Sequence, residues 1–362
     1  MTTTVKNSIP TILVTGAGGF IGGWIVESGH LRGLGNMRAG VRTWSSAARV
    51  ARFPVEIALC DLHNQTQLAE AVKGVDAVIH CAYSDDARDI VDGTRNILEA
   101  AHQAGVGRVV YISSAEVYGS CSGDIDEHTQ AGGDAQPLSA YGQAKRSAEQ
   151  LCADYNGRGL STVVLRPSVV YGPFGKIWTT RYAQRLASGD WGVFEGYGDG
   201  WCNLIYVDDL AQAAFTAVQQ ASAGGHTFNI NNPERITWNQ YFERFNAALG
   251  LPPLRHIALQ QQRSRTSFIG SVEKGTHLVV DRFKDPLMKL YMRVGWANTL
   301  MKGVKATFNN TPSQAELQRL FSRQAYFLPS RARDGLGFVP SMPIDEGLRM
   351  SANWLRLQEL VK

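Results

Sequence analysis

The run Thr11-Ile12-Leu13-Val14-Thr15 passes without a break into Gly16-Ala17-Gly18-Gly19-Phe20-Ile21-Gly22, and an amphipathic stretch follows to about Leu31. A buried-strand pattern, a glycine turn and a helix in that order leave few folds open. Gly16 permits the tight turn, Gly19 lets backbone approach a pyrophosphate, and Gly22 lets the helix pack close to the strand. The helix start offers free N–H groups and a dipole that favour an anion. The stretch therefore predicts a dinucleotide cradle on Gly16, Gly18, Gly19, Phe20, Ile21 and Gly22.

The pattern then repeats as strand and helix in alternation. Residues 37–42, 55–59, 77–82 and 108–112 read as strands, and 65–72 and 92–104 as helices. That alternation predicts a parallel, doubly wound α/β sheet of the Rossmann type, with ligands at the carboxyl ends of its strands. Where an NAD site usually carries a carboxylate at the end of the second strand, this chain has Val41 followed by Arg42. A missing acid and a nearby Arg suit a 2′-phosphate, so NADP is the expected cofactor and NAD the alternative. Ser45 and Ser46 are placed to add phosphate hydrogen bonds. His80, inside a strand pattern, reads as a packed residue.

Ser113 and Ser114 stand at the end of the fifth strand pattern, on the cofactor side. Tyr141 and Lys145 follow, four residues apart and hence on one helical face. A lysine held near a phenol favours the phenolate, so the pair predicts a Tyr141 proton donor and acceptor with a lowered pKa. Ser114 would hydrogen-bond the same substrate oxygen.

Together these residues resemble the extended short-chain dehydrogenase/reductases, the NAD(P)-dependent epimerase/dehydratase group. The resemblance rests on Thr15 to Gly22, Cys60-Asp61-Leu62, His80-Cys81-Ala82, Ser113-Ser114-Ala115-Glu116-Val117-Tyr118-Gly119, Tyr141 with Lys145, the segment from Leu165 to Pro173, and Tyr206-Val207-Asp208-Asp209-Leu210-Ala211. It implies an enzyme in which Ser114, Tyr141 and Lys145 are catalytic, with Lys145 also holding the nicotinamide ribose. It implies that Asp61 contacts the adenine, that Leu62 lines its pocket, and that Ala82 and Pro167 flank the nicotinamide. It implies a homodimer through two helices, 92–104 and 141–155. The implied division is a cofactor domain over 1–167 and 203–225, and a smaller C-terminal α/β substrate lobe over 168–202 and 226–362.

The departures from the family pattern narrow the chemistry. Ile90 stands where a helix asparagine is expected, which leaves no Asn-mediated proton relay. Ser114-Ala115-Glu116 lacks the Asp that serves 4,6-dehydratases as general acid, and Glu116 reads as a surface or structural residue. Val169 and Cys202 replace the Asn and Arg that usually meet a nucleotide-sugar diphosphate, for which Arg181, Arg185 or later basic residues could substitute. The expected function is thus an NADP-preferring oxidoreductase interconverting a secondary alcohol and a ketone on an apolar or anionic small molecule. The alternative is a sugar or nucleotide-sugar epimerase with tightly bound NAD. A non-catalytic dinucleotide sensor is the remote alternative, since such proteins commonly lack the Tyr or the Lys.

Beyond residue 161 the chain reads as strand 161–165, helix 176–188, helix 208–219, strand 227–230 and helix 237–249, with Thr237 as cap. Asp208 and Asp209 at a helix start read as cap and dipole partners. Residues 251–310 carry ten basic side chains to three acidic ones. Within them, 286–304 suits either a helix over the cleft or a weak contact with an anionic membrane surface.

Composition excludes other classes. A net charge of +4 over 362 residues gives no footprint for nucleic acid. Five scattered cysteines without a C-x-x-C pair predict reduced thiols in the cytoplasm, with neither a disulfide frame nor a metal site. The polar start and the lack of any run near the roughly 18 apolar residues of a span predict no leader and no membrane crossing.

Overall fold

The computed structural model describes residues 9–130, 138–189, 191–258 and 314–361. The stretch 286–304 and most of 251–310 lie outside the described residues.

The chain opens with β1 (Thr11–Thr15), α1 (Phe20–Leu31), β2 (Asn36–Val41), β3 (Glu56–Leu59), α2 (Gln65–Val72), β4 (Ala77–His80), α3 (Ala87–Gln103) and β5 (Arg108–Ile112). It continues through β6 (Gly123–Ile125), α4 (Ala140–Gly157), β7 (Ser161–Pro167), β8 (Val169–Tyr171), α5 (Tyr182–Ala187), β9 (Val193–Phe194), β10 (Leu204–Tyr206), α6 (Val207–Gln219) and β11 (Thr227–Ile230). It closes with α7 (Trp238–Ala248), β12 (His256–Ile257), α8 (Gln314–Ser322), β13 (Ala325–Phe327) and α9 (Ile344–Leu357).

Seven strands form the central sheet in the order β11-β7-β5-β4-β1-β2-β3, every neighbour parallel. β1, β4 and β5, inside the sheet, are mostly apolar because helices cover both faces. Ile12 and Val14 join one core with α1 and α6, while Leu13 between them joins a second with α2, α3 and α4. That alternation is the two-residue period of a strand. Strand order reverses at β1, so the crevice beyond the carboxyl ends of β1 and β4 is the place this topology reserves for a ligand.

A third core is aromatic. Tyr182, Phe194, Trp238, Tyr241, Phe242, Phe245 and Phe321 are buried together under α9. Thr237 caps α7 as predicted: its side chain accepts from the Gln240 N–H, and the Gln240 side chain accepts from the Thr237 N–H. β6 and β13 pair in parallel and bring residues 325–327 against 123–125.

Three local expectations need correction. The predicted helix 176–188 is a π-helical turn over Lys176–Arg181 followed by a short α5, and Phe174 just before it has φ +71°. α3 begins earlier than 92, because the Asp86 carboxylate caps it by accepting from the Arg88 N–H at 2.8 Å. Asp208 and Asp209 do lie in the first turn of α6, where the dipole favours them, but neither caps it. Asp208 pairs with Arg32 at 2.7 Å. Asp209 is buried and accepts from the Ser341 and Met342 N–H groups at 3.0 and 3.1 Å. No helix among the described residues is long and apolar enough to cross a membrane.

Candidate active site

The glycine turn is built for something close to its backbone. Gly16 has φ +68°, and a Cβ there would lie 2.7 Å from the Ala82 Cα. A Cβ on Gly18 would lie 2.3 Å from the Ser46 carbonyl oxygen, and one on Gly22 would lie 2.3 Å from that of Gly16. No side chain caps α1 at Gly19, and its first turn, opening with Phe20 and Ile21, holds no acid. The N–H groups there are left for an anion. The uncapped helix start, with no acid in its first turn, suits a diphosphate in charge.

The residues expected to meet the adenosine follow β2 and β3. Arg42 is exposed just beyond β2, and the turn Trp44–Ala47 folds the Ser46 carbonyl over Gly18. Asp61 follows β3 and accepts from the His63 N–H at 3.0 Å. Leu62 lies against Gly93 of α3, where a Cβ would meet its Cδ1 at 2.8 Å. Ala82 covers Gly16 from the β4 side, and Pro167 ends β7 paired with Ile230 of β11.

Ser114 caps the short 3-10 turn Ala115–Tyr118, its Oγ accepting from the Glu116 N–H at 3.2 Å. α4 is capped by Ser139, which accepts from the Gly142 N–H at 3.0 Å, and Tyr141 and Lys145 occupy its first two turns. Gly142 lets α4 press onto that turn, since a Cβ there would lie 2.7 Å from the Glu116 carbonyl oxygen. The three predicted residues thus converge at the carboxyl end of β5.

Their electrostatics differ from the expectation. Lys145 is buried, and its Nζ donates to the Ile112 carbonyl at 2.9 Å, 4.7 Å from the Tyr111 ring centroid and 5.8 Å from that of Tyr141. Burial pulls the Lys145 ammonium down to about 8, opposed by Cys81, Glu149 and Cys152. Burial pushes the Tyr141 phenol up to about 12, opposed by its hydrogen bond with Ser114. The lowering of Tyr141 by Lys145 is therefore not what this arrangement gives. Desolvation dominates, and the ammonium is committed to a backbone carbonyl.

A polar network beneath the site escaped sequence reading. Glu149, one turn beyond Lys145, accepts from Ser113 Oγ at 2.5 Å and makes a two-pronged pair with Arg166 at 3.0 and 2.6 Å. Arg166 also donates to the Tyr118 hydroxyl at 2.8 Å, which donates to Asn229 at 2.7 Å. The signal was available: Tyr141, Lys145 and Glu149 follow a four-residue rhythm on one helical face. The exposed Tyr83 ring, 5.9 Å from that of Tyr141, carried no comparable signal.

His80 is a packed residue. It is buried, its ring nitrogens meet Thr15 and Thr94 at 2.7 and 3.2 Å, and burial lowers it to about 3. Ile90 is a core side chain, so no amide stands at that place. Glu116 is exposed, and Cys202 is buried in the aromatic core.

A family model described as "NAD dependent epimerase/dehydratase family" matches residues 12–231. A 2-alkyl-3-oxoalkanoate reductase of Stenotrophomonas maltophilia is 27% identical over 359 residues, covering 93% of this chain and 97% of that protein. A 3beta-hydroxysteroid-dehydrogenase/decarboxylase of Arabidopsis thaliana is 25% identical over 315 residues. That match covers 82% of this chain and 65% of the plant protein, so the chain spans just under two thirds of its length. Among solved structures, a UDP-glucose 4-epimerase of Thermotoga maritima superimposes with a TM-score of 0.70 at 19% identity, over 96% of this chain and 99% of that one. That likeness concerns the fold.

Proposed function

The chain belongs to the NAD dependent epimerase/dehydratase family, whose members are NAD(P)-using enzymes, and from that premise we propose that it is an NADP-preferring oxidoreductase interconverting a secondary alcohol and a ketone on a small molecule. The observation that carries the reading is the convergence of Ser114, Tyr141 and Lys145 beside the glycine cradle. When bound, the nicotinamide cofactor supplies or takes the hydride. In the reducing direction Tyr141, neutral and with its pKa near 12, gives its proton to the substrate oxygen. Ser114 donates a hydrogen bond to that oxygen and so stabilises the charge that develops on it. Lys145 holds the nicotinamide ribose, anchored by the Ile112 carbonyl. Gly16, Gly18, Gly19, Phe20, Ile21 and Gly22 hold the diphosphate, Asp61 and Leu62 the adenine, Arg42 the 2′-phosphate, and Ala82 and Pro167 flank the nicotinamide.

The names of the two relatives, a 3-oxoalkanoate reductase and a 3-hydroxysteroid dehydrogenase/decarboxylase, favour net redox chemistry and put a carboxylate in the reaction. Val169 and the buried Cys202 bring neither the amide nor the cation that a nucleotide-sugar diphosphate would use. In this reading residues 1–167 and 203–225 serve the cofactor, 168–202 and 226–362 serve the substrate, and α3 and α4 form a dimer face. Tyr141→Phe tests it. Turnover should be lost while NADPH binding is kept, and unchanged turnover would refute the assignment.

A further inference from the structure

Arg323 lies between α8 and β13 with its main chain pinned, since its carbonyl accepts from the Trp201 N–H at 2.9 Å. Its side chain is another matter. Nε and Nη2 are buried, and neither has a hydrogen-bond partner among the described residues. A desolvated guanidinium edge without acceptors is costly, and an anion brought to it would relieve that cost.

The surroundings point to the substrate side. The Arg323 Cζ lies 5.2 Å from the Phe327 ring centroid, and that ring stacks on Tyr118 at 5.5 Å. Tyr118 ends the turn that Ser114 begins. Burial lowers the Arg323 pKa, and Glu116 and Cys121 are near enough to act against that. Neither is a hydrogen-bond partner of Nε or Nη2. The two unpartnered nitrogens form one edge of the guanidinium, and their parallel N–H bonds match the two oxygens of a carboxylate.

We propose that Arg323 is the seat of a substrate carboxylate and selects 3-hydroxy and 3-oxo acids over their neutral esters. The proposal rests on the alcohol–ketone reading above and adds a specificity-determining residue to it.

The test is calorimetric binding of 3-hydroxydecanoate and of its methyl ester to the protein saturated with NADPH, a pairing that cannot react. Wild type should bind the acid at least about tenfold more tightly than the ester, as a charge-assisted pair implies. Arg323→Gln should lose that preference with ester and NADPH affinity unchanged, and Arg323→Lys should restore part of it. Unchanged NADPH affinity also shows that the variants are folded. Equal binding of acid and ester by wild type, binding of neither, or a preference kept in Arg323→Gln overturns the proposal. Oxidation of the acid with NADP+ separates the two claims. An acid held through Arg323 but never oxidised leaves the carboxylate seat standing and removes the redox reading for that acid. Oxidation with unchanged kcat and KM in Arg323→Gln leaves the redox reading standing and removes the seat.

Discussion

The Nζ of Lys145 donates to the carbonyl of Ile112 at 2.9 Å, tying α4 to the end of β5. The bond fixes the ammonium beneath the Tyr141 ring and satisfies a buried charge at once. Burial, not this bond, makes Lys145 rather than Tyr141 the group of the pair that titrates nearer neutral pH: it takes Lys145 down to about 8 and Tyr141 up to about 12.

A pH dependence follows. The ammonium is present below about pH 8 and is lost as pH rises through that value. NADPH affinity should therefore fall on the alkaline side with a midpoint near 8, and Lys145→Arg, always charged, should remove that limb. Titrating the NADPH Kd against pH checks this, and a limb that survives in Lys145→Arg would assign it elsewhere. The linkage to folding has its own sign. Lys145 binds its proton less tightly in the folded chain, so its contribution makes stability rise with pH between about 8 and the unfolded value of about 10.4.

The Glu149–Arg166 pair has side chains only 10% and 14% exposed. Glu149→Leu leaves a buried guanidinium unpaired and should cost about 3–5 kcal/mol of stability by urea denaturation. A loss under 1 kcal/mol would mean that the network contributes little to the site's rigidity.

Gly22→Ala places a Cβ 2.3 Å from the Gly16 carbonyl oxygen, inside the cradle itself. Expected are a stability loss of about 1–3 kcal/mol and a displaced turn. NADPH affinity should fall at least about tenfold, which costs about 1.4 kcal/mol of binding. Fluorescence titration of NADPH measures the second effect.

Arg42 decides the cofactor in this account. Arg42→Asp removes a cation and restores the acid that NAD sites carry, so the NADPH to NADH preference should drop by about 10- to 100-fold, the worth of one charge-assisted contact. Paired Kd values for the two nucleotides check it, and an unchanged ratio would remove Arg42 from the site.

What sequence made visible was local. β1, β4 and β5 are mostly apolar runs, and strand, glycine turn and helix follow one another without a break, so the turn and the strand-end serine were legible. What was hidden depends on pairings far apart in the chain. Asp209 looked like a cap, but it binds backbone more than 130 residues on. That Arg323 Nε and Nη2 are buried with no hydrogen-bond partner among the described residues shows only once β13 has paired with β6, some 200 residues away. The Tyr141 pKa was misjudged because four-residue spacing reveals a shared face but not the desolvation on it.

The most direct measurement is the stoichiometry of NADPH oxidised to substrate reduced, taken with a 2-alkyl-3-oxo acid in one reaction while purified protein is assayed for nucleotide released on denaturation. One NADPH consumed per hydroxyl formed, by protein that arrives without tightly held nucleotide, is the expected result. Stereoisomers interconverted with no net NADPH change, by protein carrying tightly bound NAD, would contradict it and make the chain an epimerase.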